Sequence, residues 1–187
     1  MQVLEHPSDV AYRLSCSLVA PVPLSEVFRF FEDARNLARI TPPWLNFRIV
    51  NPQGIQMRQG AEIDYVIRWQ GLPMKWKTVI TRYDPPRLFI DEQFRGPYNL
   101  WRHEHTFEET AEGVAIRDRV DYQLPFGPLG RIAHALVVKR QLLEIFRFRQ
   151  AAVAEILAVP GIAFDEPRIT SEPTALAPAQ HQHHSSR

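Results

Sequence analysis

Trp101-Arg102-His103-Glu104-His105-Thr106-Phe107 alternates with the two-residue period of a β-strand. One face collects Trp101, His103, His105 and Phe107, and the other Arg102, Glu104, Thr106 and Glu108. A face meant only for packing rarely spends two adjacent inward positions on histidine. The pattern implies a strand whose buried side borders a mostly apolar pocket carrying a few titratable groups, the usual lining of a small-molecule site.

The same period extends outward through residues 47–50, 61–70, 74–83, 88–93, 99–107 and 114–124. The separators carry turn chemistry, as in Gln70-Gly71-Leu72-Pro73, Asp84-Pro85-Pro86 and Arg95-Gly96-Pro97. Closely spaced strands joined this way predict an antiparallel meander. Upstream, residues 12–19 read as a first strand and Leu24–Phe31 as a helix, with a second short helix over Ala34–Ile40 capped by Asp33. Downstream the period changes. Residues 128–157 hold no proline after the first, and Leu129, Ile132, Leu136, Leu143, Phe146, Val153 and Leu157 recur at helical spacing. Lys139, Arg140, Arg147 and Arg149 read as the solvated side of this helix, and no exposed apolar helix face is identifiable.

The economical packing of these elements is an α+β arrangement in which a curved antiparallel sheet wraps the long C-terminal helix and the two short helices plug one end. Alternation assigns Ile63, Tyr65, Ile67 and Trp69 to the interior, with Trp76, Thr78 and Ile80, and with Ile116, Asp118, Val120 and Tyr122. Such a ring-rich interior predicts a hydrophobic cavity under the helix, its mouth near residues 124–130. The expected domain spans residues 10–158, after an N-terminal extension at 1–9 and before a disordered proline- and histidine-containing tail at 159–187.

At 187 residues the chain suits one domain with a real core. Lys+Arg 22 against Asp+Glu 21 leaves a net charge of +1, so no global field recruits nucleic acid. Cys16, the single cysteine, excludes a disulfide framework and any multi-cysteine zinc site. No apolar run approaches the roughly 20 residues that cross a bilayer. The first residues are too polar for a signal peptide, so the expected location is cytoplasmic.

The order β-αα-β(meander)-α resembles the helix-grip fold of the START/Bet v 1 (SRPBCC) superfamily. Asp91-Glu92-Gln93-Phe94-Arg95-Gly96-Pro97-Tyr98, Trp101-x-His103-x-His105-x-Phe107 and Asp118-x-Val120-x-Tyr122-x-Leu124-Pro125-Phe126-Gly127-Pro128-Leu129-Gly130 resemble its bacterial ligand-binding members related to polyketide cyclase/dehydrase domains. The resemblance covers roughly residues 10 to 158. It implies a scaffold shared by lipid carriers, quinone-binding proteins, cyclases and hormone receptors, in a monomer or weak homodimer.

The candidate ligand-contacting residues are Tyr65, Ile67, Trp69, Trp76, Ile80, Trp101, His103, His105, Phe107, Asp118, Val120, Tyr122, Leu136 and Leu143. His103 and His105 can bond a ligand carbonyl or relay protons near neutral pH. They can equally bond neighbours such as Asp118 and merely hold the sheet. His103, His105 and Asp118 are the acid–base candidates, none firmly assigned. A His-x-His pair with Asp118 offers three metal ligands, but that spacing is common by chance, so no metal and no cofactor is expected. The favoured expectation is binding of a lipid, quinone or polyketide-like ring compound by a carrier, sensor or chaperone. The alternative is a cyclase/dehydratase-type enzyme, weakened by the lack of an activated nucleophile. An interaction module ranks last.

Overall fold

In the computed structural model, which describes residues 11–51, 55–157 and 160–172, the alternating segments become eight strands. These are β1 (Ala11–Ala20), β2 (Arg48–Ile49), β3 (Glu62–Trp69), β4 (Leu72–Asp84), β5 (Leu88–Arg95), β6 (Leu100–Thr110), β7 (Gly113–Gln123) and β8 (Ala163–Glu172). They form one antiparallel sheet in the order β2-β3-β4-β5-β6-β7-β1-β8. Between β1 and β2 lie α1 (Leu24–Phe31) and a 3-10 helix, Ala34–Ile40, whose start Asp33 caps by accepting the Arg35 N–H. The curved sheet grips a long C-terminal helix, the helix-grip arrangement that the sequence predicts.

That helix is not uniform. It runs as α2 (Gly127–Ala133), a π-helical turn His134–Val138, and α3 (Lys139–Leu157). A π turn inserts extra residues and rotates everything beyond it, so apolar spacing before and after no longer describes one face. The predicted stripe is therefore corrected. Leu129, Ile132 and Leu136 are 70%, 56% and 72% exposed, forming the exposed apolar face that sequence reading did not identify. The buried stripe is His134, Val138, Leu142, Phe146, Arg149, Gln150 and Val153. Arg149, expected in solvent, points into the protein and is 8% exposed.

A second correction concerns the tail. Ala163–Glu172 is ordered as β8 and completes the free edge of β1, from Ala11 opposite Glu172 to Val19 opposite Ala163. An open edge of strand leaves backbone donors and acceptors unpaired, and β8 satisfies them without needing an apolar face. Gln150 Nε2 clamps the junction by donating to Ser17 O and Asp165 O at 2.8 and 2.9 Å. The expected N-terminal extension and the tail from residue 173 lie outside the described residues.

Two apolar clusters flank the middle of the sheet. One gathers Val27, Phe28, Phe31, Ile80, Phe89, Phe107 and Val153 beneath α1. The other gathers Leu14, Val120, Tyr122, Val138, Leu142 and Phe146 beneath the terminal helix. Burying each such side chain contributes about 1.5–3 kcal/mol. Among the described residues, no helix is long and apolar enough to cross a membrane.

Candidate functional site

Between sheet and helix lies a cavity of about 540 Å³. Strands β3 to β6 supply Tyr65, Ile67, Trp69, Trp76, Ile80 and Trp101 to its wall, and the helix supplies Leu142 and Phe146. These rings interlock: Tyr65 stacks on Trp76 at 5.8 Å, and Trp101 meets Trp76 edge-on at 5.3 Å. Phe126 and Leu129 line the cavity while 78% and 70% exposed, so the mouth lies at the turn into α2, as predicted. Trp69 Nε1 donates to Gln141 Oε1 and ties the β3–β4 hairpin to the helix. Trp76 Nε1 is buried without a hydrogen-bond partner among the described residues.

Polarity is concentrated at one place on the wall. Register sets His105 opposite Asp118 across β6–β7, and Asp91 opposite His103 across β5–β6. His103 Nε2 lies 3.0 Å from Asp118 Oδ1, and His105 Nε2 lies 3.1 Å from Asp91 Oδ2. His105 Nδ1 approaches Asp118 Oδ1 to 2.7 Å without hydrogen-bond alignment. From the helix, Arg149 Nε reaches to 3.3 Å from Asp118 Oδ2. The imidazoles themselves are 3.8 Å apart between centroids, with Phe89 stacked on His105 at 4.3 Å and Phe146 edge-on to His103 at 5.6 Å.

Low polarity around these groups makes their mutual charges count. Burial pushes the Asp118 carboxyl up, but Arg149, His103 and His105 outweigh it and hold the group well below the usual carboxylate range. Asp91 is likewise held low by His105, His103 and Arg149 against burial. Burial and neighbouring His105 depress the His103 pKa. For His105 burial also acts downward, yet Asp118 and Asp91 prevail and the pKa rises. Two imidazoles on one wall are thus driven apart, one toward neutrality and one toward charge, which is the condition for separate acid and base roles. Cys16, opposite Asp118 on β1, has its thiol pushed up by burial, which disfavours the thiolate that a nucleophile needs.

Eight of the expected ligand-contacting residues line the cavity: Tyr65, Ile67, Trp69, Trp76, Ile80, Trp101, His103 and His105. Phe107, Asp118, Val120 and Tyr122 are buried behind that wall, Tyr122 hydroxyl lying 2.8 Å from His134 Nε2. Leu136 and Leu143 are corrections: the π turn leaves Leu136 exposed and Leu143 half-buried, and neither lines the cavity. Sequence reading missed Asp91 and Arg149. A signal existed for both. Asp91 shares its strand face with Phe89, and Arg149 lies on the same helical stripe as Phe146 and Val153.

The sequence matches the family described as polyketide cyclase / dehydrase and lipid transport over residues 20–146. No curated protein matches it. Among solved structures, a Thermus thermophilus protein is 16% identical with a TM-score of 0.58, covering 78% of this chain and 96% of that one. The major latex-like protein 151 of Panax ginseng is 11% identical with a TM-score of 0.57, covering 80% and 99%. The di-domain ARO/CYC StfQ from the steffimycin biosynthetic pathway is 12% identical with a TM-score of 0.57, covering 80% of this chain and 53% of that one. At these identities the likeness carries the fold and not the chemistry.

Proposed function

Because this chain belongs to the polyketide cyclase/dehydrase and lipid transport family, which supports a ligand-binding or cyclase function, we propose that it binds an apolar or aromatic small molecule bearing at least one oxygen. The observation that carries this reading is the cavity, about 540 Å³ with rings on its walls and polarity gathered at one patch. Small-molecule pockets of about 300–1,000 Å³ are lined in this way. Apolar surface of the guest supplies affinity at about 25 cal/mol per Å² before ordering costs. Trp76 Nε1, Tyr65, His103 and His105 set its orientation. A lipid, quinone or polyketide-like ring compound meets these demands, in a carrier, sensor or chaperone. The reading puts the protein in the cytoplasm.

Quenching of tryptophan fluorescence by a naphthoquinone, and its displacement by palmitate, test the reading. Saturable binding at micromolar concentration is expected. Ile67→Trp, which fills the cavity wall, should raise the Kd at least tenfold without altering the circular dichroism. Unchanged binding in that variant counts against an internal site.

The divided His103 and His105 favour one second reading, proton transfer during cyclisation or dehydration of a carbonyl-rich guest. Replacing both by glutamine should abolish turnover of such a compound while binding persists. Unaltered turnover removes the acid–base role.

A further inference from the structure

Each imidazole in the wall shows one nitrogen to Asp118 and the other to Asp91. His103 sets Nε2 3.0 Å from Asp118 Oδ1 and Nδ1 3.6 Å from Asp91 Oδ2. His105 sets Nδ1 2.7 Å from Asp118 Oδ1 and Nε2 3.1 Å from Asp91 Oδ2. A neutral imidazole has one N–H and one lone pair, and an ionised carboxylate only accepts. With its Nε2–H given to Asp118, His103 turns a lone pair toward Asp91, acceptor facing acceptor. His105 Nδ1 is buried with no aligned partner. Such an arrangement is costly away from water unless a cation lies between the groups. A proton on His105 answers one side of it. A divalent ion answers both.

We propose that Asp91, His103 and His105 form a binding site for a divalent transition-metal ion that opens on the cavity. One carboxylate oxygen and two imidazole nitrogens are a donor set that zinc and iron accept with positions left open. The three donor atoms lie within 4.8 Å of one another. Bonds of about 2.0–2.2 Å keep donors within about 4.4 Å, so small rotations of the rings complete the site. Asp118 stands behind both rings and is held by Arg149, the carboxylate–histidine–metal relation that fixes ring orientation. All three ligands line the cavity, so the open positions face the guest. Charge agrees as well. With both imidazoles neutral, two carboxylates and one guanidinium leave one negative charge; a divalent ion, displacing any proton on His105, turns it to one positive charge. An enolate, phenolate or carboxylate oxygen of the guest then completes both the shell and the neutrality.

The test uses the full chain with His181, His183 and His184 changed to alanine, so that these imidazoles bind nothing. Co²⁺ is titrated and read by its visible d–d absorption, and Zn²⁺ by competition. One ion per chain is expected, with the Kd raised at least 100-fold by Asp91→Asn and by His103→Gln. Asp118→Asn should raise it about 10–100-fold through the rings it orients. Far-UV circular dichroism checks each variant, and if the β6 variant does not fold, Asp91→Asn alone carries the decision. No saturable one-to-one binding by the parent chain, or affinity unchanged in Asp91→Asn, overturns the proposal. Naphthoquinone binding is read separately, so either site can fail while the other stands.

Discussion

Strands β6 and β7 carry charge on both faces, and the two faces settle it differently. Outside, Asp121 receives Arg13 Nε at 2.6 Å and Arg119 at 3.0 Å, while Arg102 reaches Glu104 at 2.8 Å and Glu92 at 3.6 Å. Inside, Arg149 is the one guanidinium paired with the network of Asp91, Asp118, His103 and His105 among the described residues. Burial alone is not the difference, because the Asp121 side chain is 4% exposed and that of Asp118 8%. The supply of cations is. Guanidinium heads reach the outer carboxylates from water on long stems. The inner face has fewer cations than carboxylates, and imidazoles cover the deficit. A structural network is closed by its own charges; the inner one is left able to take a proton, a metal or a guest.

The contrast breaks most visibly at Arg149. Arg149→Met keeps the stem and removes the charge, leaving the buried Asp118 carboxylate without its guanidinium. It should cost about 3–5 kcal/mol in urea unfolding, and Asp118→Asn in the same chain should recover much of that. A loss below about 1 kcal/mol would mean that the inner network does not depend on its guanidinium.

His134 sharpens the comparison from the side of an imidazole without a carboxylate. It stacks on Tyr12 at 3.6 Å and meets the Tyr122 hydroxyl at 2.8 Å. Burial, with Lys139 adding to it, lowers its pKa to about 4. The unfolded chain therefore binds a proton at higher pH than the folded one does. The contribution is complete above pH 6.5 and erodes as pH falls toward 4, by at most about 3 kcal/mol. The difference in stability between the parent and His134→Gln should shrink across that window. A difference independent of pH would show that folding leaves the His134 pKa at its ordinary value.

The smallest effect belongs to the outer face. Arg102→Ala removes ion pairs whose partners keep other cations or water, and should cost under about 1 kcal/mol in the same unfolding assay. A cost equal to that of Arg149→Met would erase the distinction between the faces.

Much of this architecture was legible from spacing. Trp101 to Phe107 declared its two faces, and Ile116 to Tyr122 likewise placed Asp118 among apolar neighbours, which is why His103, His105 and Asp118 emerged together. Asp91 was missed because alternation assigns no inward face within Leu88-Phe89-Ile90-Asp91-Glu92-Gln93, and Arg149 because one charge on a helix defaults to solvent. β8 left no apolar rhythm, since it serves mainly the backbone edge of β1 and packs Ile169 against the core cluster. The phase of the terminal helix was lost at His134–Val138, where a π turn breaks the count.

The amino-acid order by itself determined the inward and outward sides of most strands, because the pleat imposes a period of two on any residue in it. Which inward groups meet was decided only by the tertiary structure. Strand register set His105 against Asp118 and Asp91 against His103, and the rotation of the helix brought Arg149 over them. Those relations depend on contacts between segments far apart in the chain, and local periodicity carries no information about them.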